Sequence, residues 1–312
     1  MNQETKPCQN CKQSFVIEPE DFQFYEKIKV PPPTFCPECR MIRRMVWRNE
    51  RTLYWRRCDL CKENILSMYP SGTTFAVYCR NCWWSDKWDP FSYGKEYDWN
   101  KPFFLQLQEL MSVVPRVALV HYHTNVNADY SNFISGNRTV YLAYSVVNCE
   151  NVYYSYGIDK SKDIFDSYSL KNSEICYENT EGSNSYRSLY LFKSRDCVDS
   201  AFLFDCVNCQ HCFMSSNLRN KRFVLCNEQL NKEDYLKKLK EIDVGSYETI
   251  EGLKREYAQL IKDSLHKFAN QVKTVNCTGD NISNSKNVHH SFFAYETENV
   301  RYFVRGFNLK DS

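Results

Sequence analysis

The chain has 312 residues, enough for two or three domains and a sizeable core. Its 40 Lys and Arg stand against 38 Asp and Glu, a formal net charge of +2, so no global field draws it to nucleic acid or to a membrane, and any such attraction must come from local clustering. Aromatic residues at 15% and only 9 glycines exclude a low-complexity or disordered chain.

The N-terminal stretch MNQETKPCQN has no apolar h-region, which argues against a secretory signal. No run approaches the ~18 apolar residues of a membrane-spanning helix. A reducing, cytoplasmic setting is therefore expected, and there paired cysteines mean metal. Eight of the 16 cysteines form four identical Cys-x-x-Cys pairs: Cys8/Cys11, Cys36/Cys39, Cys58/Cys61 and Cys79/Cys82. Such a knuckle points two sulfurs at one ion, and two knuckles complete a closed tetrahedral S4 shell suited to Zn²⁺. The intervening segments, 24 and 17 residues long, can each hold a hairpin. Pairing in sequence order closes each loop locally. It predicts two structural zinc ions, one on Cys8, Cys11, Cys36 and Cys39 and one on Cys58, Cys61, Cys79 and Cys82.

The segment "CQNCKQSFVIEPEDFQFYEKIKVPPPTFCPECRMIRR" combines several features: a knuckle, a Phe-containing strand (Phe15), an acidic-aromatic helix start, a Pro-rich approach and a second knuckle trailed by arginines. Over roughly residues 6–48 it resembles a small bacterial zinc-binding module of treble-clef or zinc-ribbon type. The stretch from "CDLC" to "VYCRNCWW" resembles a further unit of that kind. The whole resembles uncharacterised bacterial proteins that join these modules to a Cys/Tyr/Asn-rich repeat region. The resemblance implies a fold more than a role.

In a treble clef the second knuckle often opens a helix, which places one from about Pro37 to Tyr54. On it Arg40, Arg43, Arg44, Trp47, Arg48 and Arg51 share one face. Ile42, Met45, Val46 and Leu53 form the opposite, apolar face. Two readings of the arginines stand. They form a solvated or internally paired face, or a phosphate-binding stripe for RNA or DNA with Trp47, Tyr54 and Trp55 for stacking. An acidic protein partner is a third. In "CRNCWWSDKWDPFSYG", Trp84 and Trp88 are expected to meet on a helix ended by Asp89-Pro90, either packing the metal module or stacking on a ligand.

From about Asn127 the texture becomes repetitive: "NCENVYYSYGIDK", "SKDIFDSYSLK", "NSEICYENTEG", "SRDCVDSAFLFD". A small polar residue, any residue, Asp/Glu/Asn and Val/Ile/Cys recur at about eleven residues. This predicts a parallel β-helix or solenoid with stacked Asn, Ser and Cys ladders. A five-residue reading through Phe192, Cys197, Phe202, Val207 and Cys212 is the alternative. "CVNCQHC" (Cys206, Cys209, Cys212, with His211) reads as buried small fillers or as a third metal site. The pairs His121/His123 and His289/His290 read as structural or as weak metal sites. "NKEDYLKKLKEI" and "SYETIEGLKREYAQLIKDSLHKFA" are helical, with N-caps at Asn231 and Ser246. On the second, Ile250, Leu253, Tyr257, Leu260, Ile261, Leu265 and Phe268 form an apolar stripe.

The fold class expected is mainly β: a parallel solenoid with a helical insertion, preceded by two small α+β zinc modules. The organisation is 1–57 first zinc module with its Arg-rich helix, 58–94 second zinc module, 95–126 linker or packing segment, 127–230 solenoid, 231–272 helical insertion and 273–312 solenoid continuation. The sequence carries no P-loop, dinucleotide, nucleophile-elbow or H-E-x-x-H motif. Asp163, Asp166, Asp196, Asp199 and Asp205 form a catalytic strip only if they stack, and as turn residues they need no such role. The expected function is a non-catalytic zinc scaffold that binds nucleic acid through the Arg face. A protein–protein scaffold built on the solenoid is the alternative, and a carbohydrate-binding or carbohydrate-active β-helix a further one.

Overall fold

A computed structural model describes residues 3–27, 29–45, 49, 51–122 and 124–312, the side chains of Arg44 and Met45 excepted. The chain divides into two compact units, Met1–Arg48 with His266–Ser312, and Asn49–Leu265.

In the first unit an antiparallel hairpin pairs Glu4–Pro7 with Ser14–Ile17. Two helices follow, α1 (Pro19–Lys27) and α2 (Pro37–Met45). Ile17, Phe15 and Phe22 pack with the cysteines to make a small core. Near the C-terminus the extended segment Gln271–Tyr295 pairs in parallel with Glu298–Arg301 and Val304–Phe307. Helix α1 is pinned to these strands by the buried carboxylate of Asp21, which accepts from Arg301 (2.9 Å) and from the Tyr302 hydroxyl (2.8 Å).

The second unit opens on a hairpin of Tyr54–Arg57 with Asn64–Ser67. Then come α3 (Arg80–Trp83) and α4 (Phe103–Val113). A large parallel sheet follows, running from His121 to Leu225 and ending in an antiparallel strand, Glu228–Gln229. Two helices, α5 (Lys232–Lys240) and α6 (Tyr247–Asp263), close the unit. The mainly β, parallel architecture expected from the repeats is present.

The pairing period is twelve residues, not about eleven. Tyr144 lies on Asn132 and Tyr156 on Tyr144, while Val152 lies on Val140 and Ile164 on Val152. The cause is a three-residue step. From Phe133 to Cys226 every third residue has a positive φ near 50–70°. Each step is two extended residues and one left-handed residue, and four steps make up one twelve-residue pairing period. The left-handed conformation costs an L-residue roughly 1–2 kcal/mol. It is held here by the ladder: Tyr154 donates its N–H to Tyr141 at 3.0 Å and Lys160 to Val147 at 3.0 Å. Asn, Asp and Gly recur at these positions because they tolerate that region best.

The residue after each left-handed one points inward, so burial also repeats every third residue. Ile134, Val140, Val146, Val152, Ile158, Ile164 and Leu170 form the apolar lining. Between them Ser155, Ser161, Ser167, Ser173 and Ser185 are buried too. Each serine hydroxyl donates to the carbonyl two residues earlier, and most accept the N–H of the residue one period later. Ser161 donates to Asp159 at 2.8 Å and accepts from Ser173 at 3.1 Å. A buried polar column is thereby satisfied, as burial requires. The five-residue reading fails against this geometry, since Cys197 and Cys212 point inward while Phe202 packs under the helices.

The helical insertion caps as expected: Asn231 Oδ1 accepts from the N–H of Asp234 (2.9 Å) and Ser246 Oγ from that of Thr249 (3.4 Å). Tyr235, Ile250, Leu253, Tyr257 and Leu260 pack on Tyr190, Phe202, Phe213 and Met214 of the sheet. The stripe is shorter than expected, because α6 ends at Asp263 and leaves Leu265 and Phe268 exposed.

Candidate metal centres

The four knuckles assemble in sequence order. The sulfurs of Cys8, Cys11, Cys36 and Cys39 all lie within 4.8 Å of one another, and so do those of Cys58, Cys61, Cys79 and Cys82. Each site is built the same way. A hairpin delivers the first knuckle at a turn completed by a left-handed lysine, Lys12 or Lys62, whose N–H returns to the first cysteine carbonyl (3.0 and 2.9 Å). The N-terminus of a helix, α2 or α3, delivers the second knuckle.

The repetition extends to the hydrogen bonds. Cys36 donates its N–H to Cys8 Sγ at 3.2 Å, and Cys79 to Cys58 Sγ at 3.2 Å. Cys39 donates to Cys36 Sγ at 3.4 Å, and Cys82 to Cys79 Sγ at 3.4 Å. Sulfurs that accept backbone N–H groups are prepared to be thiolates. Burial raises Cys8, but the N–H groups of Cys36, Cys11 and Asn10 outweigh it and bring its pKa down to about 6. The same balance brings Cys58 to about 7. Cys82 goes the other way, to about 12, through burial and then through its contacts with Cys79, Cys61 and Cys58. Four thiols in mutual contact resist joint ionisation, and a divalent cation relieves that resistance. The donor set thus fits a closed, four-sulfur metal site in both modules. Cys8, Cys36, Cys39, Cys58 and Cys82 are buried, which leaves little room for a fifth ligand.

The core cysteines behave differently. Cys197, Cys206, Cys209 and Cys212 are fully buried in one cluster. Their thiols donate, as the serines do, to the carbonyl two residues earlier: Cys197 to Arg195 (3.3 Å), Cys206 to Phe204 (3.4 Å), Cys209 to Val207 (3.5 Å) and Cys212 to Gln210 (3.4 Å). These bonds repeat those of the serine ladder. Contact with the Cys209 sulfur, and then burial, push Cys197, Cys206 and Cys212 well up, and the same contacts push Cys209 down. These cysteines are ladder residues, and His211 stacks instead on Phe223 (5.3 Å).

The arginines do not line one helix face. Helix α2 is described as far as Met45, Asn49 and Arg51 are not helical, and Tyr54–Arg57 is a strand, because the hairpin that positions Cys58 requires it. Val46, Trp47 and Arg48 lie outside the described residues, as does the side chain of Arg44. Arg40 donates to the Tyr25 hydroxyl (3.0 Å) and lies over the Tyr302 ring. Arg43 lies over Phe35 at 4.6 Å. Arg51, in the other unit, lies over Tyr156 at 4.6 Å. Arg56 is held by Asp59 (2.8 Å) and the Pro70 carbonyl (2.9 Å). Among the tryptophans it is Trp83, not Trp84, that meets Trp88, at 4.8 Å, and Trp88 Nε1 donates to the Trp83 carbonyl. Trp88 packs with Tyr78 in the second metal module.

The aspartates occupy left-handed turn positions. Asp163 accepts from Asn151, Asp196 from Asn184, Asp199 pairs with Arg187, and Asp205 pairs with Arg219. His121 is bonded to the Ser131 carbonyl at 2.8 Å, and burial lowers its pKa. His123 lies outside the described residues. His290 stacks on Tyr302, and His289 lies 3.4 Å from the Thr278 hydroxyl.

The twelve-residue register also aligns rings that the eleven-residue reading scattered. Tyr141, Tyr153, Phe165 and Tyr177 fall in register in one row, with Tyr153 and Phe165 stacked at 4.6 Å. Tyr144, Tyr156 and Tyr168 fall in another, with Tyr156 and Tyr168 stacked at 5.5 Å. The signal was available, as tyrosines recurring at intervals of twelve. No helix among the described residues is long and apolar enough to cross a membrane. Neither a protein-family model nor a curated protein matches the chain significantly.

Proposed function

We propose that the chain is a non-catalytic scaffold organised by two structural zinc ions, and that it offers the flank of a β-solenoid to a protein partner. Zinc is the metal of choice for closed four-sulfur shells in hairpin-and-helix modules of treble-clef type. Thiolate ligands and free buried thiols suit a reducing compartment. The twelve-residue periods are read as coils of the solenoid.

One observation carries the choice of surface. The ring row that begins at Tyr141, Tyr153 and Phe165 continues into Tyr177, which packs with Tyr190 and Phe202 beneath α6. At that end the adjoining rings Tyr190 and Phe202 carry an amphipathic helix with a tyrosine at its centre, which supports reading the row as a helix-docking surface. The other half is open, with Tyr141 and Phe165 about 40% exposed and Tyr154 beside them at 53%. A flat aromatic row of this size is a protein-docking surface before it is anything else. The arginine reading draws less support, because the guanidinium groups of Arg40 and Arg51 already lie on tyrosines of their own chain.

The test is a photoreactive side chain placed at Tyr154 in cells. A single discrete protein adduct, abolished when Tyr141 and Phe165 become alanine, is the expected result. An adduct to nucleic acid, or none at all, overturns the reading.

A further inference from the structure

Helix α4 and the loop before it are out of keeping with the rest of the molecule. Among the described residues FFLQLQELMSV is the most apolar of the longer helices, yet none of its residues is buried. At helical spacing Phe103, Phe104, Leu107, Leu110 and Met111 fall in one stripe about 120° wide. Glu109, Ser112 and Gln108 fall on the opposite side. Gln106, at the margin of the stripe, ties the preceding loop to the helix. Its side-chain amide donates to the carbonyls of Asp98 (2.9 Å) and Lys101 (3.0 Å) and its oxygen accepts from the Asp98 N–H (2.8 Å). That clamp holds Trp99 at the helix with 88% of its surface in water, and Phe104 stands 79% exposed.

A helix this short is marginal on its own in water. This one also begins without a side-chain cap or an acidic residue in its first turn. It needs an apolar cover. We infer that the cover is a second copy of this chain, packed stripe to stripe about a two-fold axis.

Three observations select that occupant. Taking ~200 Å² for a large apolar side chain, the exposed parts of Trp99, Phe103, Phe104 and Met111 amount to roughly 500–550 Å² per chain. That is about two-thirds of the ~800 Å² each partner contributes to a stable interface, the remainder falling to the polar rim around the stripe. The stripe carries no charge of its own, so two copies bring no like charges together across an isologous contact. Residues 84–116 hold five acids (Asp86, Asp89, Glu96, Asp98, Glu109) against four bases (Lys87, Lys95, Lys101, Arg116). That balance lacks the basic face an anionic lipid surface would select. The surface shares no residue with the open tyrosine row and stands independently of it.

The experiment is sedimentation of the zinc-loaded full chain from micromolar to near-millimolar concentration, beside the double variant F104E/M111E. A reversible dimer is expected, weakened about 30-fold or more in the variant, with metal content and circular dichroism unchanged. Hydrogen exchange on the unaltered chain supplies the second measurement: amides of Phe103–Val113 should gain protection as concentration rises. A chain that stays monomeric throughout overturns the inference. So does a dimer that the variant leaves intact, or one whose α4 amides gain no protection.

Discussion

Cys79 donates its backbone N–H to the sulfur of Cys58 at 3.2 Å, which makes that sulfur an acceptor. The Cys206 sulfur also accepts a backbone N–H, from Leu218 at 3.4 Å, but its thiol donates in turn to the Phe204 carbonyl at 3.4 Å, as the ladder serines do. The two kinds of cysteine should therefore respond differently to Cys→Ser replacement. Cys58→Ser removes one of four ligands, and bound zinc should fall by one ion per chain. Cys206→Ser puts a hydroxyl where a hydroxyl is the usual ladder residue, and should leave both ions in place. Metal counting by native mass spectrometry distinguishes these outcomes; zinc lost from Cys206→Ser would make the core cysteines ligands after all.

The interior ladder sets a second expectation. Asn179 donates to the Ser188 carbonyl (3.0 Å) and accepts from the Leu191 N–H (2.8 Å), inside the sheet. Asn179→Leu keeps the volume but strands a buried N–H, at a cost of about 1–3 kcal/mol. Gly182 sits in the adjoining inward column, where a Cβ would come 2.8 Å from the Ser194 carbonyl oxygen and 3.2 Å from Leu170. Gly182→Ala must push backbone aside and should cost about 1–3 kcal/mol. Both should lower the denaturant midpoint; a midpoint unmoved by Gly182→Ala would mean that the neighbouring strands yield freely.

What could be read in advance follows from how local each signal is. The metal sites were legible because a knuckle and its partner lie in one hairpin and one helix start, and the N-caps Asn231 and Ser246 because capping spans three residues. The period was not. The alternation Ser161, Ile164, Ser167, Leu170, Ser173, Cys176 is plain in the sequence, but a three-residue step belongs to neither helix nor flat strand. The eye settled on the longer phrase instead. The arginine helix was overextended for a related reason. Arg48 and Arg51 continue a helical spacing, while the strand at Tyr54–Arg57 is imposed by the knuckle it feeds.

Helix α6 is held to the sheet by unequal contacts. Tyr257 donates to the Leu203 carbonyl at 2.6 Å and its ring lies on Phe202. Tyr257→Phe removes only the hydroxyl. The carbonyl keeps the Ser194 hydroxyl at 3.2 Å, so the loss should be about 1 kcal/mol. Tyr257→Ala also removes the ring and should cost about 3 kcal/mol. Lys254 pairs with Glu178 at 2.8 Å, but both are about one-third exposed, so Lys254→Met should cost less than ~1 kcal/mol. Chemical denaturation should rank Tyr257→Ala as the most destabilised, then Tyr257→Phe, then Lys254→Met. A Lys254→Met effect larger than that of Tyr257→Ala would place the docking energy in the ion pair.

The arginines lend themselves to a salt test. A stripe engaging several phosphates would lose affinity steeply between ~50 and ~200 mM salt. Arg40 and Arg51 are already stacked on tyrosine rings of their own chain, so shallow or absent binding is expected, with little change in Arg43→Glu. Tight binding that collapses with salt and in Arg43→Glu would restore nucleic acid as the partner and make the zinc modules its holder.

His121 should make stability depend on pH. Burial holds its pKa below the ordinary value, with the nearby Arg80 charge adding to the effect against the Ser131 carbonyl and Asp129. The folded chain therefore binds the proton less readily than the unfolded chain does. Above the unfolded value of about 6.5 both states are neutral and His121 contributes no slope. As pH falls through that value toward the lower folded one, the unfolded state gains a proton the folded state refuses, and stability is lost. Gln at this position can still donate to the Ser131 carbonyl but cannot titrate. Thermal unfolding of the unaltered chain and of His121→Gln, followed from about pH 8 to about pH 5, should show the parent losing more. Taking the difference between the two removes the acid sensitivity that the cysteine sites impose on both. Parallel curves would mean that His121 reaches its proton without unfolding the strands around it.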